Sequence, residues 1–125
     1  MKNILLLTDF SDNSKNAIDY ALQLFEDVWC NFYILYVQDA TAYTSDDLIT
    51  NSATSVYDSL IGKHRQKLVK YAKSLESKFG NEHFNMHTIV DFDSLIDALN
   101  QTILSKKIDL IVMGTNGATG AKEVI

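Results

Sequence analysis

A chain of 125 residues, 46% apolar and 22% charged, is long enough for one domain with a real core and too short for two. Its formal charge of −5 argues against a general nucleic-acid-binding surface, which carries basic excess, yet leaves room for a local ring of amide donors to hold phosphate. The single cysteine, Cys30, excludes an intrachain disulfide scaffold and reads as a small buried hydrophobe. No apolar run approaches the roughly eighteen residues of a membrane span. The opening apolar run, Ile4 to Leu7, closes on Thr8-Asp9 and is too short for a signal peptide; a cytoplasmic protein is expected.

Ile4 to Leu7 is wholly apolar, as in a strand buried on both faces. Phe10-Ser11-Asp12-Asn13-Ser14 offers several helix caps, and Ala17, Ile18, Ala21, Leu22 and Phe25 follow at helical spacing. Phe32 to Val37 is a second strand, rich in aromatic and branched residues. The polar interval from Gln38 to about Ser52 reads as an irregular crossover. Val56, Leu60, His64, Leu68, Tyr71, Ala72, Leu75 and Phe79 then form the stripe of a long helix with a basic outer face, which Gly80-Asn81 ends through its left-handed preference. That basic face reads as a solvated helix surface in an acidic protein.

Phe84, Met86, Thr88 and Val90 alternate with His83, Asn85, His87 and Ile89, which places this strand at an edge. Leu95, Ile96, Leu99, Thr102 and Ile103 form the next helical stripe, started near Asp93 or Ser94. The chain then runs through an apolar strand, Ile108 to Met113, interrupted by Asp109. Strands separated by helices of this length need right-handed crossovers, hence a parallel sheet with helices on both faces. There is no linker, repeat or low-complexity tract, so residues 1–125 are read as one domain.

The last strand ends in glycines at positions 114, 117 and 120. Such a turn, poor in Cβ atoms, lets backbone N–H groups approach an anion, and a phosphate-bearing small molecule is the first ligand to consider. Gly114 and Gly117 could equally serve only the tight strand-to-helix turn. Thr115, Asn116 and Thr119 are possible polar donors. The glycine, lysine and serine or threonine spacing of a P-loop is absent. Asp9 stands at the C-terminal end of the first strand, where open parallel sheets place their ligands, although it could also cap the following helix. His64, His83 and His87 are scattered, and Asp91 and Asp93 lie where helix caps are needed, so neither set reads as a metal site or an acid–base pair.

With these residues at the strand ends, the chain resembles the universal stress protein family. Ile4-Leu5-Leu6-Leu7-Thr8-Asp9-Phe10-Ser11 is similar to the family's first strand and Asn13 to Ala21 to the start of its first helix. Phe32 to Val37 is similar to its second strand. Ile108 to Gly117 is similar to its fourth strand, which is followed by a Gly-Thr/Ser-x-Gly turn. The resemblance implies a three-layer, Rossmann-like α/β sandwich of the adenine nucleotide alpha-hydrolase type, with strand order 3-2-1-4 and a fifth strand missing. It further implies an ATP- or adenine-nucleotide-binding regulator or sensor in stress response. Asp9 and Val37 would receive the nucleoside end, and Gly114, Thr115, Asn116 and Gly117 would shape the phosphate end.

No catalytic residue is implied. Any hydrolysis would be slow and would need Mg²⁺ held largely by the phosphates. The family's third motif glycine would fall at position 127, past the last residue of this sequence, so a truncated domain or the first part of a tandem protein is expected. After the third strand the family often has glycine where Val90-Asp91-Phe92-Asp93 has none. The alternative is a non-nucleotide interaction module of the same fold. An open edge on the fourth strand would favour a homodimer or contact with a tandem second domain, with neither nucleic acid nor membrane as partner.

Overall fold

The computed structural model describes residues 1–38 and 51–114, for residues 51–60 the backbone alone. The elements are β1 (Lys2–Leu7), α1 (Asp12–Leu24), β2 (Cys30–Gln38), α2 (Asn51–Phe79), β3 (Phe84–Phe92), α3 (Leu95–Lys106) and β4 (Leu110–Val112). The four strands form one parallel sheet in the order β3-β2-β1-β4. Of the three apolar runs expected at the centre, two occupy it: Ile4, Leu5, Leu6, Phe32, Ile34 and Leu35 have no exposed surface, while Ile108 to Met113 pairs only with β1 among the described residues. The alternating strand, β3, stands at the edge.

Alternate residues of β1 and β2 face opposite helical layers. Ile4, Leu6, Phe32 and Ile34 pack with Ala17, Ile18, Ala21 and Leu22 of α1 and with Leu68, Ala72 and Leu75 of α2. Leu5 and Leu35 are equally buried on the other face, the side that α3 covers with Ala98 and Thr102. Cys30 is buried at the start of β2, and burial pushes its thiol up.

Four details depart from the periodicity. The α3 stripe is rotated: Ala98 and Thr102 are buried, while Leu95 and Ile96 are 43% and 65% exposed. Two small residues bring the helix close to the sheet, and the larger side chains flank the contact. The helix α2 begins at Asn51, ahead of its first apolar position. Gly80 ends α2 without a left-handed φ: its Cα lies so close to the last turn that a Cβ would meet the Glu76 carbonyl oxygen, and its N–H donates to that oxygen at 2.8 Å. Among the described residues the left-handed C-cap is Lys107, φ 52°, at the end of α3.

The strand β4 is shorter than Ile108 to Met113 because its first residues belong to the joint with β1. Asp109 donates its N–H to the Asn3 carbonyl at 2.7 Å, and its Oδ2 accepts the Asn3 N–H at 2.9 Å. The Asn3 side chain donates to the carbonyls of Lys106 and Lys107, at 3.1 and 3.3 Å. The polar interruption in the apolar run is thus a clasp between the first and last strands.

Candidate functional site

The strand order puts β1 and β4 side by side at the point where the chain changes direction across the sheet, with β2 on the other side of β1. Open α/β sheets bind ligands in the crevice at such a point, beyond the C-terminal ends of the strands. A cleft of about 270 Å³ lies there, near the lower bound of small-molecule sites, roughly 300–1,000 Å³. Its apolar walls are Leu7, Val37, Leu95 and Met113, and its polar lining comes from Thr8, Asp9 and Ser14. Gly114 forms the remaining wall. Of the residues singled out in the sequence, Asp9, Val37 and Gly114 therefore share one cavity. Thr115, Asn116 and Gly117 lie outside the described residues.

Among the described residues Asp9 is the one ionisable side chain in that lining. Ser11 holds it: the Ser11 N–H donates to Asp9 Oδ1 at 2.9 Å. The Ser11 side-chain hydrogen bond is the largest cause of an Asp9 carboxyl held below the usual aspartate value, partly opposed by desolvation. The group is ionised at neutral pH and offers an acceptor at the cleft mouth. Ser11 is also the N-cap of α1, its Oγ accepting the Ser14 N–H at 3.2 Å. The two readings of this corner, ligand acceptor and helix cap, are divided between Asp9 and Ser11 rather than competing for Asp9.

Beneath Asp9 runs a buried hydroxyl relay. Ser14 Oγ donates its single proton to the Ser11 carbonyl at 2.9 Å, so in the 3.0 Å contact between Thr8 Oγ1 and Ser14 Oγ the threonine is the donor. Thr8 Oγ1 in turn accepts the Phe10 N–H at 3.0 Å. Every polar atom in the relay is satisfied, which fixes the β1–α1 turn.

Thr8, Ser14, Leu95 and Met113 were not among the expected site residues. Thr8 and Met113 had a signal in their position at strand ends. Ser14 and Leu95 had none, since a helix's first turn enters the cleft only through the tertiary fold.

The histidines occupy three separate neighbourhoods: His64 beside Tyr36, His83 beside Trp29, and His87 stacked on Tyr33, with ring centroids 4.8, 4.7 and 4.9 Å apart. Among the described residues no three His, Cys, Asp or Glu side chains gather as a metal site, and no helix is long and apolar enough to cross a membrane. The basic face of α2 is only partly solvated. Lys78 pairs with Asp19 at 3.5 Å, and Lys67 Nζ lies 4.3 Å from the centroid of the Phe10 ring.

The model of the universal stress protein family matches residues 1–125. Universal stress protein MJ0531 of Methanocaldococcus jannaschii is 27% identical over 125 residues, 99% of this chain and 70% of that protein. Among solved structures, hypothetical protein MJ0577 is similar with a TM-score of 0.73 at 21% identity, over 97% of this chain and 79% of that one. Universal stress protein UspA from Lactobacillus plantarum is similar with a TM-score of 0.64 at 20% identity, over 97% and 83%. At these identities the two structures speak for the fold.

Proposed function

Because the chain belongs to the universal stress protein family, we propose that its cleft binds the nucleoside end of an adenine nucleotide, with ATP the ligand to test first. The protein then serves as a sensor or regulator in stress response. The observation that carries the reading is the meeting of Asp9, Val37 and Gly114 in one cavity at the β1–β4 switch point. Asp9 accepts hydrogen bonds from the ribose or base, and the apolar wall of Leu7, Val37, Leu95 and Met113 suits a planar base. Phosphates extend past Gly114, and Thr115, Asn116 and Gly117, outside the described residues, are the proposed donors to them.

Among the described residues the cleft is lined by one carboxylate and no histidine, a poor set for proton transfer or for holding a metal through protein ligands. Turnover is accordingly slow or nil, and any Mg²⁺ rides on the phosphates. Mass spectrometry of gently purified protein, followed by calorimetric titration with ATP, tests the proposal. Absence of both co-purifying nucleotide and binding heat at millimolar ATP defeats it.

A second reading, an interaction module working as a homodimer, is supported by the β4 side of the molecule. Among the described residues β4 pairs only with β1, and Leu110 on it is 42% exposed. A strand edge left unpaired beside apolar surface is favoured to be buried against a partner. Sedimentation at micromolar concentration separates the cases, since a monomer of 14.1 kDa removes the support for this reading.

A further inference from the structure

Phe10 follows Asp9 directly and has φ 65°, a left-handed backbone that a bulky side chain adopts only where its surroundings enforce it. Glycine would meet that geometry without steric cost. The enforcement is visible on the sheet face covered by α1 and α2, where the Phe10 ring packs against the core between β2 and α2. Its centroid lies 4.9 Å from that of Tyr36 on β2 and 6.3 Å from that of Tyr71 on α2. Lys67, also on α2, sets its ammonium 4.3 Å from the ring centroid, within cation–π range.

The backbone reversal at Phe10 is also what lets its neighbours act on Asp9. The Ser11 N–H, placed by the Phe10 φ and ψ, turns back to Asp9 Oδ1 at 2.9 Å. In an extended β conformation at residue 10, Ser11 would be carried away from the Asp9 carboxylate.

We propose that Phe10 is a positioning residue for Asp9: α2 grips its ring through Lys67 and Tyr71, and that grip holds the turn that aims the Asp9 carboxylate at the cleft. The position of α2 is thereby coupled to the acceptor in the cleft. The consequence for ligand affinity rests on the adenine-nucleotide reading; the consequence for the turn itself does not.

The test compares Phe10→Gly, which suits the backbone and removes the ring, with Lys67→Met, which keeps the aliphatic stem and removes the cation, and with the ring-preserving Phe10→Tyr. Ser11 amide exchange is followed by NMR and normalised to core amides of β1. Exchange at least tenfold faster in Phe10→Gly, several-fold faster in Lys67→Met and near wild type in Phe10→Tyr is expected. The Asp9 carboxyl, titrated by ¹³C NMR, should rise toward the ordinary aspartate value in Phe10→Gly.

ATP affinity should fall in the same order, by tenfold or more for Phe10→Gly. Unchanged normalised exchange and an unchanged Asp9 titration in Phe10→Gly overturn the proposal. Wild-type protein that binds no ATP defeats the nucleotide reading, while the exchange and titration still decide the role of Phe10.

Discussion

Gly114 lies against the backbone of Asn13: a Cβ at position 114 would stand 2.6 Å from the Asn13 carbonyl oxygen and 3.1 Å from the Ser14 nitrogen. Both obstacles are main-chain atoms in the first turn of α1, which cannot rotate aside as a side chain would. Its φ lies outside the left-handed region, so close approach, not turn conformation, requires glycine here. Gly114→Ala is expected to destabilise the fold by about 1–3 kcal/mol, the usual cost of forcing a methyl into a packed site. A thermal melt measures it. An unchanged melting temperature would show that the end of β4 separates from α1 at no cost.

Asp9 gives the cleft a pH dependence whose direction follows from its lowered value. A carboxyl more acidic in the folded chain than in the unfolded one contributes stability that is present above the unfolded value, about 4, and lost as pH falls through the folded one. The Asp9 contribution to ATP binding should therefore stay flat from pH 8 to pH 5 and decline only in more acid solution. Asp9→Asn keeps the shape and removes the charge. It should weaken ATP binding by roughly 1.5–3 kcal/mol, the range for a hydrogen bond to a charged group. Calorimetry at two pH values checks both statements, and equal affinity of the variant and wild type would remove Asp9 from the site.

Much of this arrangement was legible in the sequence because hydrophobic pattern reports burial. Ile4 to Leu7 and Phe32 to Val37 had to be central, and the alternation of Phe84 to Val90 marked an edge. Asp9, Val37 and Gly114 were legible as strand ends, since parallel sheets gather their strand ends on one rim. The rotation of α3 was not, because the spacing of Leu95 and Ile96 cannot compete with the close contact that small Ala98 and Thr102 allow. The start of α2 was hidden for another reason: Asn51 to Ser55 contain little apolar surface to mark a buried face, so the period is silent there. Gly80 showed the right boundary with the wrong cause, as did Gly114 in part, because a glycine gives the same signal for a special φ and for a close neighbour.

Tyr71 presents a buried hydroxyl with no hydrogen-bond partner among the described residues. Burial, and secondarily the charge of Asp19, raise its pKa far above the ordinary tyrosine value. Its ring is useful, lying beside Phe10 and 5.5 Å from Lys15 Nζ, while its oxygen is desolvated without compensation. Tyr71→Phe keeps the ring contacts and removes the orphan oxygen. It should leave stability unchanged or raise it by about 1 kcal/mol, since an unsatisfied buried polar group costs on the order of 1–3 kcal/mol. Urea denaturation is the measurement, and a loss above about 1 kcal/mol would mean that the hydroxyl has a partner in solution.

His64 should make the fold sensitive to mild acid. It is half-buried on α2 between the rings of Tyr36 and Phe92, with centroids 4.8 and 6.0 Å away. Desolvation, then Lys67 and Lys63, hold its pKa below the ordinary histidine value. The unfolded chain therefore binds the His64 proton more readily than the folded one. Stability is complete above about pH 6.5, the unfolded value, and falls as the pH drops from there through the lower folded value. Denaturant midpoints measured between pH 7.5 and 5 should decline for wild type and decline less for His64→Phe, which keeps an aromatic ring between Tyr36 and Phe92 and cannot protonate. Two parallel profiles would show that His64 takes up its proton equally in both states, and would return the acid sensitivity of this domain to its carboxylates.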